Sequence, residues 1–202
     1  LNAIHAQTHR PLEIIAVNDG STDSTGSLMD AWMESNSDSD AAISVLHQDA
    51  LGLSAGRMAA LNHAQGEWVA ITDIDVRPEQ DWIEQLLLAN VPVGEETIVA
   101  VTGRTIFRTH TDIVSRFRAV EIASKYRSRP RRTSLANGPC SMFKRQVLLD
   151  VGGFDPKWYH AEDMEVSLRL LNAGGSIVYA PDALVAHVPE AVSYTHLTLP
   201  TI

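Results

Sequence analysis

Two carboxylates one residue apart close an apolar run. Trp68-Val69-Ala70-Ile71-Thr72 has the make-up of a buried strand, and Asp73-Ile74-Asp75 follows it directly. Alternate residues of a strand face the same side. Asp73 and Asp75 are therefore expected to share one spot at the carboxyl end of the strand, where open α/β sheets hold ligands. Carboxylates that close repel each other unless a proton or a cation joins them. Hard oxygen donors with room left for water and phosphate suit Mg²⁺ or Mn²⁺. A solvated strand end has the same spelling, so the pair must be weighed with the rest of the chain.

Two other acidic groups follow the same logic. Asn18-Asp19 ends the apolar run Leu12–Val17, and Glu162-Asp163 opens a helical pattern. A carboxylate at a helix start is favoured by the helix dipole, so Glu162 and Asp163 also read as a plain N-terminal cap. The stretch Asp19–Asp23 begins like a calcium loop but lacks the later ligands and the terminal Glu. Neither a G-x-x-x-x-G-K-[ST] nor a G-x-G-x-x-G loop is present. A bound nucleotide would then be held through a cation and acidic side chains. Lys125 to Arg132 carries five basic residues and a proline. It reads as a mobile loop, either a solvated linker or a contact for an acidic partner or diphosphate.

The elements that must position these groups are spelled in alternation. Strands are expected at 12–17, 42–46, 68–72 and 98–102, with helices near 24–34, 53–64 and 79–90, the last opened by Pro78. Strand–helix alternation of this kind implies an α/β fold with a mostly parallel, Rossmann-like sheet covered on both faces. The second half is mixed. Strands are expected at 104–108, 141–143, 176–179 and 183–186, and helices at 112–126, 145–150 and 162–173, the last stopped by Gly174-Gly175. The boundaries drawn are 1–103 for the alternating half and 104–190 for a smaller, mixed half, which the family resemblance given below makes the donor-binding and the acceptor and catalytic halves. Residues 191–202 are set apart, because Ser193–Ile202 reads as a non-native cloning tail.

Bulk properties narrow the class. The chain has 202 residues, 45% of them hydrophobic and 20% charged, as in a soluble globular protein. A net charge of −9 argues against a nucleic-acid surface. Cys140 is the sole cysteine, so no intrachain disulfide forms, which fits a reducing compartment. No run is apolar enough to span a bilayer. The chain opens at Leu1, inside an apparent helix reaching Gln7, and so reads as an internal fragment of a longer protein.

At this point a family comes into view. Val17-Asn-Asp-Gly-Ser-Thr-Asp-Ser-Thr25 resembles the V-[DN]-D-G-S-x-D-x-T motif of family 2 glycosyltransferases, and Gly66–Asp75 resembles their strand ending in D-x-D. Asn137–Arg145, Gly152–Asp155 and Glu162–Arg169 resemble their acceptor loop and E-D helix, and Val178–Pro181 with His187 matches the strand pair that follows. These motifs stand in the family's order over about residues 1–190.

The resemblance implies a GT-A fold, a nucleotide-sugar donor (most often a UDP-sugar) and an inverting, metal-dependent transfer to an acceptor hydroxyl. It places Asn18, Asp19, Arg57 and Asp73 against the nucleotide. Asp75, Asp73 and His187 go to a divalent cation, Mg or Mn, with His187 equally readable as a strand-end histidine paired to backbone. Asn137, Gly138 and Pro139 go to a carbohydrate or lipid-linked acceptor. Asp163 becomes the general base, and Glu162 orients acceptor or base. The resemblance also implies a cytoplasmic protein, at the membrane face if absent segments anchor it. Gly56-Arg57-Met58 departs from the family's A-R-N, and the family's first strand lies before Leu1. The competing readings are a nucleotidyltransferase acting on sugar phosphates, a non-catalytic nucleotide-sugar binding domain, and a two-carboxylate hydrolase.

Overall fold

A computed structural model describes residues 1–9, 13–107, 120, 123–124, 126–158 and 160–187. The chain opens with a short helix, α1 (Asn2–His5). A parallel pair follows, β1 (Glu13–Asp19) against β2 (Ala42–Gln48), linked by α2 (Thr25–Ser35). Then come α3 (Leu53–His63), β3 (Trp68–Ile71), β4 (Val76–Pro78), α4 (Trp82–Ala89) and β5 (Ile98–Phe107). The second half holds β6 (Arg132–Thr133), a 3₁₀ turn (Gly138–Cys140), β7 (Ser141–Lys144), α5 (Arg145–Asp150), α6 (Glu162–Asn172) and β8 (Ser176–His187).

The larger sheet runs β3-β7-β5-β8-β4, with β6 also paired to β8. Within it only the long β5–β8 ladder is parallel, and the other pairs are antiparallel. The α/β class holds, but the expected mostly parallel sheet does not: among the described residues β1–β2 and β5–β8 are parallel, and the other four pairs are antiparallel because short strands fold back beside their neighbours.

Both faces of this sheet are covered. Alternate side chains sort onto opposite sides, Met142 and Val178 one way, Phe143 and Ile177 the other. On one face Trp82, Ile83 and Leu86 of α4 pack over Val101, Met142 and Val185. On the other, Leu61 of α3, Leu148 of α5 and Val166 and Leu170 of α6 close over Val99, Phe143 and Ile177.

Several expected boundaries move. The strands read at 98–102 and 104–108 are one strand, because Gly103 continues it without a turn. A Cβ at Gly103 would lie 2.2 Å from the Ala183 carbonyl oxygen and 2.5 Å from Cys140 Sγ, so only glycine lets β5 and β8 approach there. The strands read at 176–179 and 183–186 also fuse. Thr102 pairs with Tyr179 and Arg104 with Leu184, so β8 bulges through exposed Pro181-Asp182 opposite Gly103. Pro78 does not start a helix. It ends β4, an edge strand where its missing N–H is tolerated, and α4 begins at Trp82. The helix read at 112–126 lies largely outside the described residues, and the tail 191–202 lies wholly outside them.

Candidate active site

Asp73 and Asp75 do meet in one place, but not through a strand pleat. β3 ends at Ile71, and Asp73 to Val76 form a tight turn in which the Val76 N–H donates to the Asp73 carbonyl at 3.3 Å. Ile74, at its tip, is 94% exposed. The turn puts both carboxylates on a cleft of about 670 Å³ that is also lined by Thr105, Tyr126, Arg129, Asn137, Pro139 and His187.

His187 reaches this cleft through strand register. It pairs with Val76, the residue after Asp75, at the end of the β4–β8 ladder. Its Nε2 lies 3.0 Å from Asp75 Oδ2. That is the spacing of adjacent ligands on a six-coordinate cation with bonds of about 2.1 Å. An imidazole nitrogen beside a carboxylate suits Mn²⁺. Among the described residues no third His, Cys, Asp or Glu joins them, so further positions fall to donor oxygens or water.

The expected acceptor segment forms the facing wall. The Asn137 N–H donates to Thr102 Oγ1 at 3.0 Å, and its Nδ2 donates to Thr105 Oγ1 at 3.1 Å. Asp163 is tied to the same segment. Its Oδ2 accepts the Gly138 N–H at 3.1 Å and its Oδ1 accepts the Met164 N–H at 2.8 Å. Ser167 extends the link, accepting the Ala136 N–H at 3.0 Å and donating to the Asp163 carbonyl at 2.5 Å. Ala161 caps α6 in the left-handed region, at φ 59°, a conformation alanine adopts only when its surroundings enforce it. The carboxylates of α6 are therefore presented by a constrained turn.

Glu162 is buried and faces Arg57, which also donates to Asp73 Oδ1 at 2.9 Å. Arg57 therefore joins the turn after β3 to the start of α6. Met58, which replaces the expected asparagine, packs into the core against Gly153.

Asn18 and Asp19 do not line the cleft containing Asp73 and Asp75. Asn18 is buried at the end of β1. It accepts the Ser21 N–H at 3.2 Å and contacts His47 Nδ1 at 3.1 Å. Asp19 accepts from Gln48 Nε2, the Leu51 N–H and the Gly52 N–H at 2.7–2.9 Å. The Leu51 amide foremost, then Gln48 and Gly52, holds its carboxyl below the ordinary carboxylate value. Gly20 beside it sits at φ 69°, with Ala50 nitrogen 2.4 Å from where a Cβ would be. In the structure this motif shapes the loop after β2.

The basic run is not a free loop where it is described. Arg131 and Arg132 both donate to Glu96, at 2.7 and 2.8 Å. Arg129 donates to the Leu135 carbonyl at 2.7 Å and stacks 5.2 Å from the Tyr179 ring and 5.8 Å from Tyr126. Arg129, from the run read as either a linker or an acidic-partner or diphosphate contact, lines the cleft. Thr105 and Tyr126 are cleft residues that no motif in the sequence marks. Cys140 is fully buried beneath the cleft, and burial pushes its thiol up to about 12, so it stays protonated.

The Arg131 contact first of all holds the Glu96 carboxyl below its ordinary value. A carboxyl lowered on folding stabilises the protein above its unfolded pKa, and that contribution is lost as pH falls through the folded value. Glu96→Gln is expected to lower Tm at pH 7 by about 5 °C, through loss of two charge-assisted hydrogen bonds. The gap from wild type should close as pH drops below about 4. Calorimetric melts across that range check it, and a constant gap would be the contrary result.

The fold is that of the GT-A glycosyltransferases. It aligns with the Pyrobaculum calidifontis mannosyltransferase PcManGT, solved with GDP-Man and Mn²⁺, at TM-score 0.69 and 26% identity, over 94% of this chain and 52% of that one. Residues 1–152 match the family described as Glycosyl transferase family 2, and the chain belongs to it. Over 186 residues it is 31% identical to the pre-mycofactocin glycosyltransferase of Mycobacterium tuberculosis, covering 88% of this chain and 38% of that protein. It is 29% identical to the poly-β-1,6-N-acetyl-D-glucosamine synthase of Staphylococcus aureus, over 95% of this chain and 47% of the relative. The chain thus spans less than half the length of these two relatives. Among the described residues no helix is long and apolar enough to cross a membrane.

Proposed function

We propose that this chain carries the catalytic site of an inverting glycosyltransferase. It moves a hexosyl group from a nucleotide-diphosphate sugar, a UDP-sugar in the first instance, to the hydroxyl of a carbohydrate or lipid-linked acceptor. The observation that carries the reading is the pairing of Asp75 with His187 at 3.0 Å on a cleft whose other wall includes Asn137 and Pro139, the Gly138 N–H between them being bonded to Asp163. The nucleotide sugar and Mn²⁺ held by PcManGT support it. A cytoplasmic setting, at the membrane face if segments outside this chain anchor it, is part of the same proposal.

Asp75 and His187 would hold a divalent cation, Mn²⁺ or Mg²⁺. Bound there, the cation supplies Lewis-acid charge balance for the departing diphosphate. Asp163 takes the proton from the acceptor hydroxyl as that oxygen bonds the anomeric carbon. The bond to the diphosphate breaks on the opposite side and its electron pair leaves with the nucleotide. One displacement with one base inverts the centre, and no glycosyl–carboxylate intermediate forms. Asn137 and Pro139 supply the acceptor wall. Asn18 and Asp19 act on the nucleotide through the loop they brace, and the halves 1–103 and 104–190 meet within β5.

The test is a donor screen of the full-length protein with UDP- and GDP-sugars, with and without Mn²⁺. Metal-dependent release of one nucleoside diphosphate, with transfer to an added acceptor, is the expected outcome. Release of pyrophosphate from a nucleoside triphosphate and a sugar phosphate would instead establish the nucleotidyltransferase reading.

A further inference from the structure

Two carboxylates line this cleft, Asp73 and Asp75 from the turn after β3; two more, Glu162 and Asp163 at the start of α6, lie outside its lining, Asp163 bonded to the Gly138 N–H behind the cleft wall. One buried cation serves one member of each pair. Arg57, 9% exposed, sends Nη1 to Glu162 Oε1 and Nη2 to Asp73 Oδ1. Its guanidinium lies 5.6 Å from the centre of the Phe154 ring. Gly138 closes on it from another side, since a Cβ there would sit 3.0 Å from Nη2. The fork is held between partners that are themselves part of the fold.

The pattern of partners is informative. Asp73 lies two residues before Asp75, and Glu162 lies next to Asp163. Arg57 grips the neighbour of each group assigned to the reaction and neither group itself. We propose that Arg57 is a positioning residue and not a nucleotide contact. It locks the turn after β3 to the first turn of α6 and so fixes Asp75 relative to Asp163. This rests on the glycosyltransferase reading above. It also reassigns Asp73 and Glu162, whose carboxylates are the two ends of the lock.

The energetics favour this role over a purely stabilising one. A buried ionic triad gains little over well-packed apolar side chains, because desolvation offsets its attraction. Here Arg57 Nε is also buried without a hydrogen-bond partner among the described residues. Such an arrangement adds directional constraint: a guanidinium fork specifies two carboxylates at once, which a lysine's single ammonium does not.

The experiment uses the full-length protein and Arg57→Lys, which keeps the charge and loses the fork. Transfer kcat is expected to fall by about tenfold or more, since small displacements of reacting groups cost that much. Donor KM, and UDP affinity measured by calorimetry with Mn²⁺, should stay within about threefold. A fall in UDP affinity as large as the fall in kcat, or an unchanged kcat, overturns the proposal. Stability gives a second readout that needs no activity. Urea unfolding of Arg57→Lys, Glu162→Gln and the double variant should be non-additive, with the double variant close to the worse single one. Additive losses overturn the lock. Absence of transfer in the wild type would sink the glycosyltransferase reading alone, because the unfolding cycle still tests the bridge.

Discussion

Asp163→Asn is expected to lower sugar transfer by about a hundredfold or more while leaving UDP affinity nearly unchanged. A general base acts on the proton in flight, so its loss appears in kcat and not in donor binding. The asparagine has the same shape but no basic carboxylate. The structure adds a condition. Asp163 already accepts the Gly138 N–H and the Met164 N–H, so an amide NH₂ must face one of these donors. One backbone hydrogen bond is lost, at a cost of about 1–3 kcal/mol. A melt of the variant separates that loss from the chemical one. Asp163→Ala, which removes both contacts, should be the less stable of the two variants and no more active. Should Asp163→Asn transfer sugar at near wild-type rate, the base lies elsewhere. Asp155 is then the better candidate than Glu162, whose carboxylate is buried against Arg57. If UDP affinity falls with the rate, Asp163 belongs to the donor site.

What the sequence made legible follows from how local each signal is. The starts of α3, α5 and α6 and the whole β1–α2–β2 unit fall within two residues of their expected places. Periodicity, caps and Gly stops act within one turn of chain. The D-x-D pair was legible as chemistry, but its geometry was not. Strand alternation would put both groups on one side, whereas the chain turns after Ile71 and brings them together by a different route. Gly103 and Pro181 were misread for a shared reason. Each spells a break locally, yet they face each other across one ladder, where a bulge needs a proline-tolerant segment on one strand and a residue without Cβ on the other. The basic run was misread because its partner, Glu96, is some 35 residues away. Long-range pairing of charges leaves no periodic trace. The same holds for Arg57: its type and position were visible, but nothing near it in sequence names Asp73 and Glu162 as its partners.

Asp75→Ala is expected to abolish the metal dependence of donor binding. Asp75 is the carboxylate of its pair that Arg57 leaves untouched, and it pairs with a side chain that can itself bind metal, His187 at 3.0 Å. With both present, a divalent cation finds two ligands at the spacing of adjacent coordination sites. With alanine it keeps only the imidazole, too weak to hold Mn²⁺ against water without the carboxylate charge. In the full-length protein, calorimetric titration of UDP should give tight binding with Mn²⁺ and weak binding without it. Asp75→Ala should bind weakly in both. Because removing one ligand typically costs at least the 10–100-fold of losing an outer contact, transfer should fall by about a hundredfold or more. Asp75→Ala also removes one partner of His187 at the end of β8. His187→Ala controls for this. It removes the same pair from the other side, so if the pair acts through the metal, both variants should lose Mn²⁺ dependence and retain the wild-type fold by circular dichroism. Equal UDP affinity with and without Mn²⁺ in the wild type would overturn the metal site directly. Retained metal dependence in Asp75→Ala alone would shift the ligand role to Asp73, and would require Arg57 to release that carboxylate when the donor binds.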